Sequence, residues 1–130
     1  MGAPLMYART AGLALVALSQ LAIAASGVAP RDSQIALLKD WALSRCLAKV
    51  YADPAATKDA NATASAYLEE GDLPIEAYHA LDQLATDYAN RKYSGSIDPT
   101  FGTKKCIDLF ESDALRALAI KQVDSKAKTR

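Results

Sequence analysis

A chain of 130 residues in which 15 Lys and Arg face 15 Asp and Glu carries no net formal charge, so no global field draws it to nucleic acid or to an anionic membrane. Hydrophobic residues make up 51% and charged residues 23%, enough apolar material for one modest core and too little chain for two.

The first thirty residues differ from the rest. Arg9 is their one cation before the run AGLALVALSQLAIA at 11–24, and Ala22 and Ala24 stand at a cleavable spacing. This predicts a secretory signal peptide over 1–24 and a single exported domain over 25–130. Ser19 and Gln20 interrupt the apolar run, which falls short of the roughly 20 residues a spanning helix needs. No Cys follows it to carry a lipid. Removing Arg9 with the leader leaves one more acid than base.

From Ser33 to Ala52, Ile35, Leu38, Ala42, Cys46 and Val50 recur at steps of three and four, with Leu37, Trp41 and Leu47 widening the stripe. The period is that of a largely buried helix, with Asp32 or Ser33 as its N-cap. Pro54 ends it or opens the next connection. A second helix is expected over Lys58–Glu70, with Ala60, Ala64, Tyr67 and Leu68 inward and Gly71 as a left-handed stop. Asn61-Ala62-Thr63 matches a glycosylation sequon, a pattern common by chance.

Asp72-Leu73-Pro74 begins a third helix, with Pro74 in the first turn and Glu76 near the positive end of the dipole. Its inward row is Ile75, Tyr78, Leu81, Ala85 and Tyr88, and its outward row Glu76, His79, Gln83, Thr86 or Asp87, and Asn90. An acidic stretch, Glu69, Glu70, Asp72 and Glu76, precedes it. The polar run RKYSGSIDPTF follows at 91–101, bracketed by Arg91, Lys92, Lys104 and Lys105. Thr100 or Thr103 can cap a short helix through Phe110 that carries Cys106, Ile107, Leu109 and Phe110. Ser112 caps a last helix, Ala114 to about Val123, and the tail DSKAKTR should fray. The fold class expected is all-α, a compact bundle of about five helices.

Cys46 and Cys106 admit two readings. Export favours a disulfide closing about 60 residues, for which chain entropy suggests roughly 4 kcal/mol of stabilisation. Alternatively one thiol is a nucleophile with His79, the single histidine, as its base. Nothing else resembles a reaction centre: there is no haem or metal motif, no phosphate loop, and the adjacent Glu69 and Glu70 point about 100° apart on a helix. No cofactor and no metal are called for.

Three blocks carry a resemblance: KDWALSRCLAKVY at 39–51, ATASAYLEEGDLPIEAYHALDQL at 62–84, and RKYSGS with KKCIDLFES between 91 and 112. Together they resemble the immunity proteins that protect bacteria against the fourth family of type VI secretion amidase effectors. The likeness spans about residues 34–120. It implies a periplasmic, helical homodimer without cofactor that inhibits a cysteine-histidine peptidoglycan amidase. It also implies a two-to-two complex in which a helix of one immunity subunit packs on the effector and a loop of the other enters the catalytic cleft.

By position, that helix is Pro74–Arg91 and that loop Lys92–Thr100. The candidate effector-binding residues are Glu76, His79, Gln83, Asp87, Arg91, Lys92, Tyr93, Ser94, Gly95 and Ser96. Tyr93 is the candidate anchor, since an aromatic buries a large area for little entropy, and Ser94-Gly95-Ser96 lets backbone approach a cleft closely. The alternative is that Tyr93 merely tucks against the bundle. The competing functional classes are the thiol enzyme and a periplasmic adaptor or ligand-binding bundle.

Overall fold

The computed structural model describes residue 2 and residues 30–95 and 100–129. Apart from Gly2, the expected leader lies outside these described residues, as do its cleavage site and Ser96. All regular structure among them is helical: α1 (Pro30–Val50), α2 (Pro54–Glu70), α3 (Ile75–Ala89), α4 (Gly102–Glu111) and α5 (Asp113–Lys128).

Helix α1 is the hub, packing against each of the other four, whereas α2 packs on α1 alone. It starts earlier than expected, at Pro30, whose fixed φ suits a first turn. Asp32 and Ser33 therefore lie inside the helix instead of capping it, and Asp32 meets the dipole there. At the other end Pro54 opens α2, with Asp53 as the N-cap: its carboxylate accepts from the Ala56 amide at 2.8 Å. The helix so gains four residues over the expected start at Lys58, because the cap and the proline act together.

Gly71 ends α2 in an extended conformation, φ −78° and ψ 155°, and not in the left-handed one. Pro74 is likewise the extended N-cap of α3 and not part of its first turn. The inward row of α3 holds from Tyr78 through Leu81 and Ala85 to Tyr88, all buried, but Ile75 is 52% exposed. Its side chain borders the open groove between α2 and α3 instead of entering the core.

Cys46 and Cys106 form a disulfide between α1 and α4, with Cα atoms 5.6 Å apart and both residues fully buried. Neither is a free thiol, so the nucleophile reading falls. Around them the core gathers Leu38, Ala42, Leu81, Leu109, Leu115 and Ala119, and Trp41 meets Tyr78 edge-on with ring centroids 5.0 Å apart.

Neither Thr100 nor Thr103 caps α4. The N-cap is Phe101, in a left-handed conformation at φ 53° with no side-chain bond. Cys106 and Leu109 carry the buried face of α4, while Ile107, expected with them, is 53% exposed, about 100° around the helix from Cys106. Ser112 caps α5 as expected, accepting from the Leu115 amide at 3.1 Å. α5 then continues past Val123 to Lys128. The tail is helical and not frayed because partners hold it: Arg31 grips Asp124 through bonds of 2.8 and 3.1 Å, and Lys126 lies 2.8 Å from the Asp72 carboxylate.

Candidate functional site

Helix α3 presents Glu76, His79, Gln83 and Asp87 at steps of three and four, all exposed on one face. Gln83 donates to Asp87 at 2.9 Å, the one side-chain bond within the row. Beside this row Asp82 turns toward α1, where it accepts from Arg45 at 2.9 Å and from Lys49 at 3.2 Å. Burial alone would raise the Asp82 carboxyl, but the bonds from Arg45 and Lys49 outweigh it and hold the group below the usual range. Arg45 also donates to Asn61 of α2 at 2.6 Å, so the sequon asparagine lies in a helix with its side chain engaged. These bonds span the open side of α2 and α3, where a groove of about 280 Å³ is bordered by Trp41, Leu68, Ile75 and His79.

Where α3 ends, the chain stays on the scaffold. The Arg91 guanidinium lies 3.4 Å from the centre of the Tyr88 ring, and Lys92 is exposed. Tyr93 is half-buried, and its hydroxyl donates to Asp108 of α4 at 2.5 Å. The same carboxylate accepts from Lys104 at 2.8 and 3.0 Å. Those bonds, Lys104 first and Tyr93 second, pull the Asp108 carboxyl down, while the bond to Asp108 pushes the Tyr93 phenol up. Lys105 donates to the carbonyl of Ala89 at 3.4 Å, closing the corner between α3 and α4.

Of the cations expected around this segment, Arg91, Lys104 and Lys105 therefore gather at its base. Ser94 and Gly95 are exposed beyond Tyr93. The hydroxyl of Tyr93 serves an intrachain bond, so this aromatic is tied to the bundle. The structure thus brings Arg91 and Tyr93 together with Lys104, Lys105 and Asp108, while Glu76 and His79 stand more than two helical turns back along α3.

Asp108, Asp82 and Arg45 went unremarked in the sequence. The spacing of Lys104 and Asp108 marks an i,i+4 pair on one helix face. No local signal says that Tyr93 lands on that pair. Among the described residues no group of His, Cys, Asp and Glu could hold a metal ion, and no helix is long and apolar enough to cross a membrane.

Comparison with known proteins fits this arrangement to a family. The model of Tai4, the type VI secretion system amidase immunity protein, matches residues 36–119. Among solved structures, a chain of the Tae4/Tai4 effector–immunity system of Salmonella typhimurium is 52% identical, covering 68% of this chain and 87% of that one, with a TM-score of 0.64. A chain from a structure of type VI-secreted toxins and self-resistance proteins of Serratia marcescens is 31% identical over 67% of this chain and 72% of that one, TM-score 0.62. One from the Tae4–Tai4 complex of Enterobacter cloacae is 29% identical over 66% and 88%, TM-score 0.59. No curated protein matches. With most of the helical bundle inside the family match, the chain belongs to the family of type VI secretion amidase immunity proteins, and so is an immunity protein and not an enzyme.

Proposed function

We propose that this protein binds a peptidoglycan amidase of the Tae4 class in the periplasm and inhibits it by covering its active-site cleft. The observation that carries the reading is continuity. The exposed row Glu76, His79, Gln83 and Asp87 runs down α3 into a polar segment whose base is bonded to α4. Two surfaces of different shape result, a flat helix face and a segment rich in small residues. A helix face suits a rim and such a segment suits a cleft. In the assembly inferred here, a homodimer engages two effectors, with α3 of one subunit on the effector surface and residues 92–100 of the other over the catalytic cysteine and histidine.

Occlusion of this kind needs no chemistry from the inhibitor. Its affinity depends on how little order is lost on binding, and a segment already bonded at its base loses less than a free one. Support comes from the Salmonella and Enterobacter relatives, both from effector–immunity pairs with Tae4.

The test is co-purification of residues 25–130 with Tae4, followed by peptidoglycan hydrolysis with and without the immunity protein. A stable complex with hydrolysis abolished near equimolar ratio is expected. Tyr93→Ala combined with bulky replacements at Ser94 and Ser96 should weaken inhibition by at least about tenfold. Unchanged inhibition by that variant would exclude the segment from the cleft.

A further inference from the structure

We propose that Asp108 is a positioning residue of the immunity site: through Tyr93 it fixes the first part of the α3–α4 connection on α4 before any partner arrives. This rests on the reading of that connection as part of the inhibitory surface.

The geometry is a clamp with its fixed jaw on α4. Cys106, two residues before Asp108, is bonded covalently to Cys46 of the hub helix, so this part of α4 cannot drift from the bundle. Lys104, one turn back, holds the Asp108 carboxylate by two bonds, at 2.8 and 3.0 Å, and so sets its orientation. The carboxylate then accepts the Tyr93 hydroxyl at 2.5 Å. Lys104 and Lys105 bring their ammonium groups to 5.1 and 5.9 Å from the centre of the Tyr93 ring, within range of its π face. Lys105 also reaches the Ala89 carbonyl at 3.4 Å, at the last residue of α3.

The returning stem meets the same place. Phe101 is held left-handed as the N-cap of α4, the one non-glycine residue with positive φ among those described, and its carbonyl accepts the Lys105 amide at 2.9 Å. A left-handed phenylalanine persists only where its surroundings over-determine it. Tyr93, Ser94, Phe101 and Lys104 border one shallow cleft, so both stems of the connection converge on a single turn of α4.

Energetics separate this arrangement from ordinary surface packing. Asp108 and Lys104 are solvent-accessible, and such pairs add little to global stability. The buried core is complete without them. Beyond that small share of stability, their bonds act on the position and order of residues 91–95.

Asp108→Ala and Tyr93→Phe, alone and combined, are compared with wild type for thermal midpoint, for amide exchange at residues 92–95, and for the kinetics of binding to Tae4 of Salmonella typhimurium. Expected for Asp108→Ala are a midpoint within a few degrees of wild type and exchange at 92–95 faster by about tenfold. Affinity should fall by about tenfold, with the association rate contributing to the loss. Because both variants break the same bond, the double variant should lose little more than either single one. Additive losses, or wild-type binding and exchange in Asp108→Ala, would overturn the role of Asp108 while leaving the inhibitory reading intact. A wild-type protein that binds no amidase would instead overturn the inhibitory reading, and the positioning role with it.

Discussion

At the scale of single residues, position 71 shows how a glycine can serve space and not conformation. Its backbone is extended, accessible to any residue, but a Cβ there would stand 2.3 Å from the Tyr78 hydroxyl oxygen. The ring cannot swing away, being 2% exposed and set edge-on against Trp41. Burial pushes the Tyr78 phenol up, and the nearby Asp72 adds to the shift, as expected of a hydroxyl enclosed by its own fold. Gly71→Ala should therefore destabilise by about 1–3 kcal/mol, the range for forcing an extra carbon into a packed site. Denaturant midpoints would measure this, and Tyr78→Phe in the same background should return part of the loss by opening room. An undiminished loss in the double variant would mean that the collision is not the cause.

Among the elements, α2 and α4 are held to the hub by opposite means. Helix α2 has no neighbour but α1, and the Arg45 bridge from Asn61 to Asp82 ties its outer side to α3 through side chains alone. Helix α4 is short, 10 residues, and too brief to be stable by itself. The disulfide makes it part of the bundle by linking positions 60 apart. Replacing both cysteines with alanine should cost about 4 kcal/mol by loop entropy, read as a lowered denaturant midpoint. A loss below about 1 kcal/mol would show that packing alone holds α4. Helix α5 makes a related point. Its last turns were expected to fray on composition, but Arg31 and Asp72 lie opposite Asp124 and Lys126. Helicity there follows from charges contributed by distant parts of the chain.

The whole molecule should be acid-sensitive in a definite window. Asp108 and Asp124 lie below their ordinary value of 3.8 through bonds from Lys104 and Arg31, and Asp82 does so despite its burial. A carboxyl depressed in the folded state stabilises above its unfolded pKa and loses that contribution as pH falls through its folded value. Asp40 works the other way: burial raises it, so acid relieves its cost. With three groups against one, stability should be level between pH 7 and about pH 5 and fall below about pH 4. Asp82 is about one third exposed, so solvent screening limits its share to about 1 kcal/mol. Asp82→Asn should be less stable than wild type at pH 7 by about that amount, and the two should converge by about pH 2 in pH-dependent melting. A constant gap across the range would assign the difference to packing.

Local spacing alone determined much of this architecture. The number and order of the helices, the buried row Tyr78, Leu81, Ala85 and Tyr88, the Ser112 cap and the possibility of a Cys46–Cys106 bond are all written in neighbouring residues or in composition. The outward row of α3 was legible for the same reason, since a period of 3.6 divides a helix into faces. Tertiary structure decided what stands opposite each face. Ile75 and Ile107 fit apolar stripes but remain exposed, the last turns of α5 are polar but have partners, and Tyr93 meets a carboxylate 15 positions away. Periodicity encodes which side of a helix is apolar. Whether that side is covered, and by which group, depends on distances between segments far apart in sequence, which only the packed bundle sets.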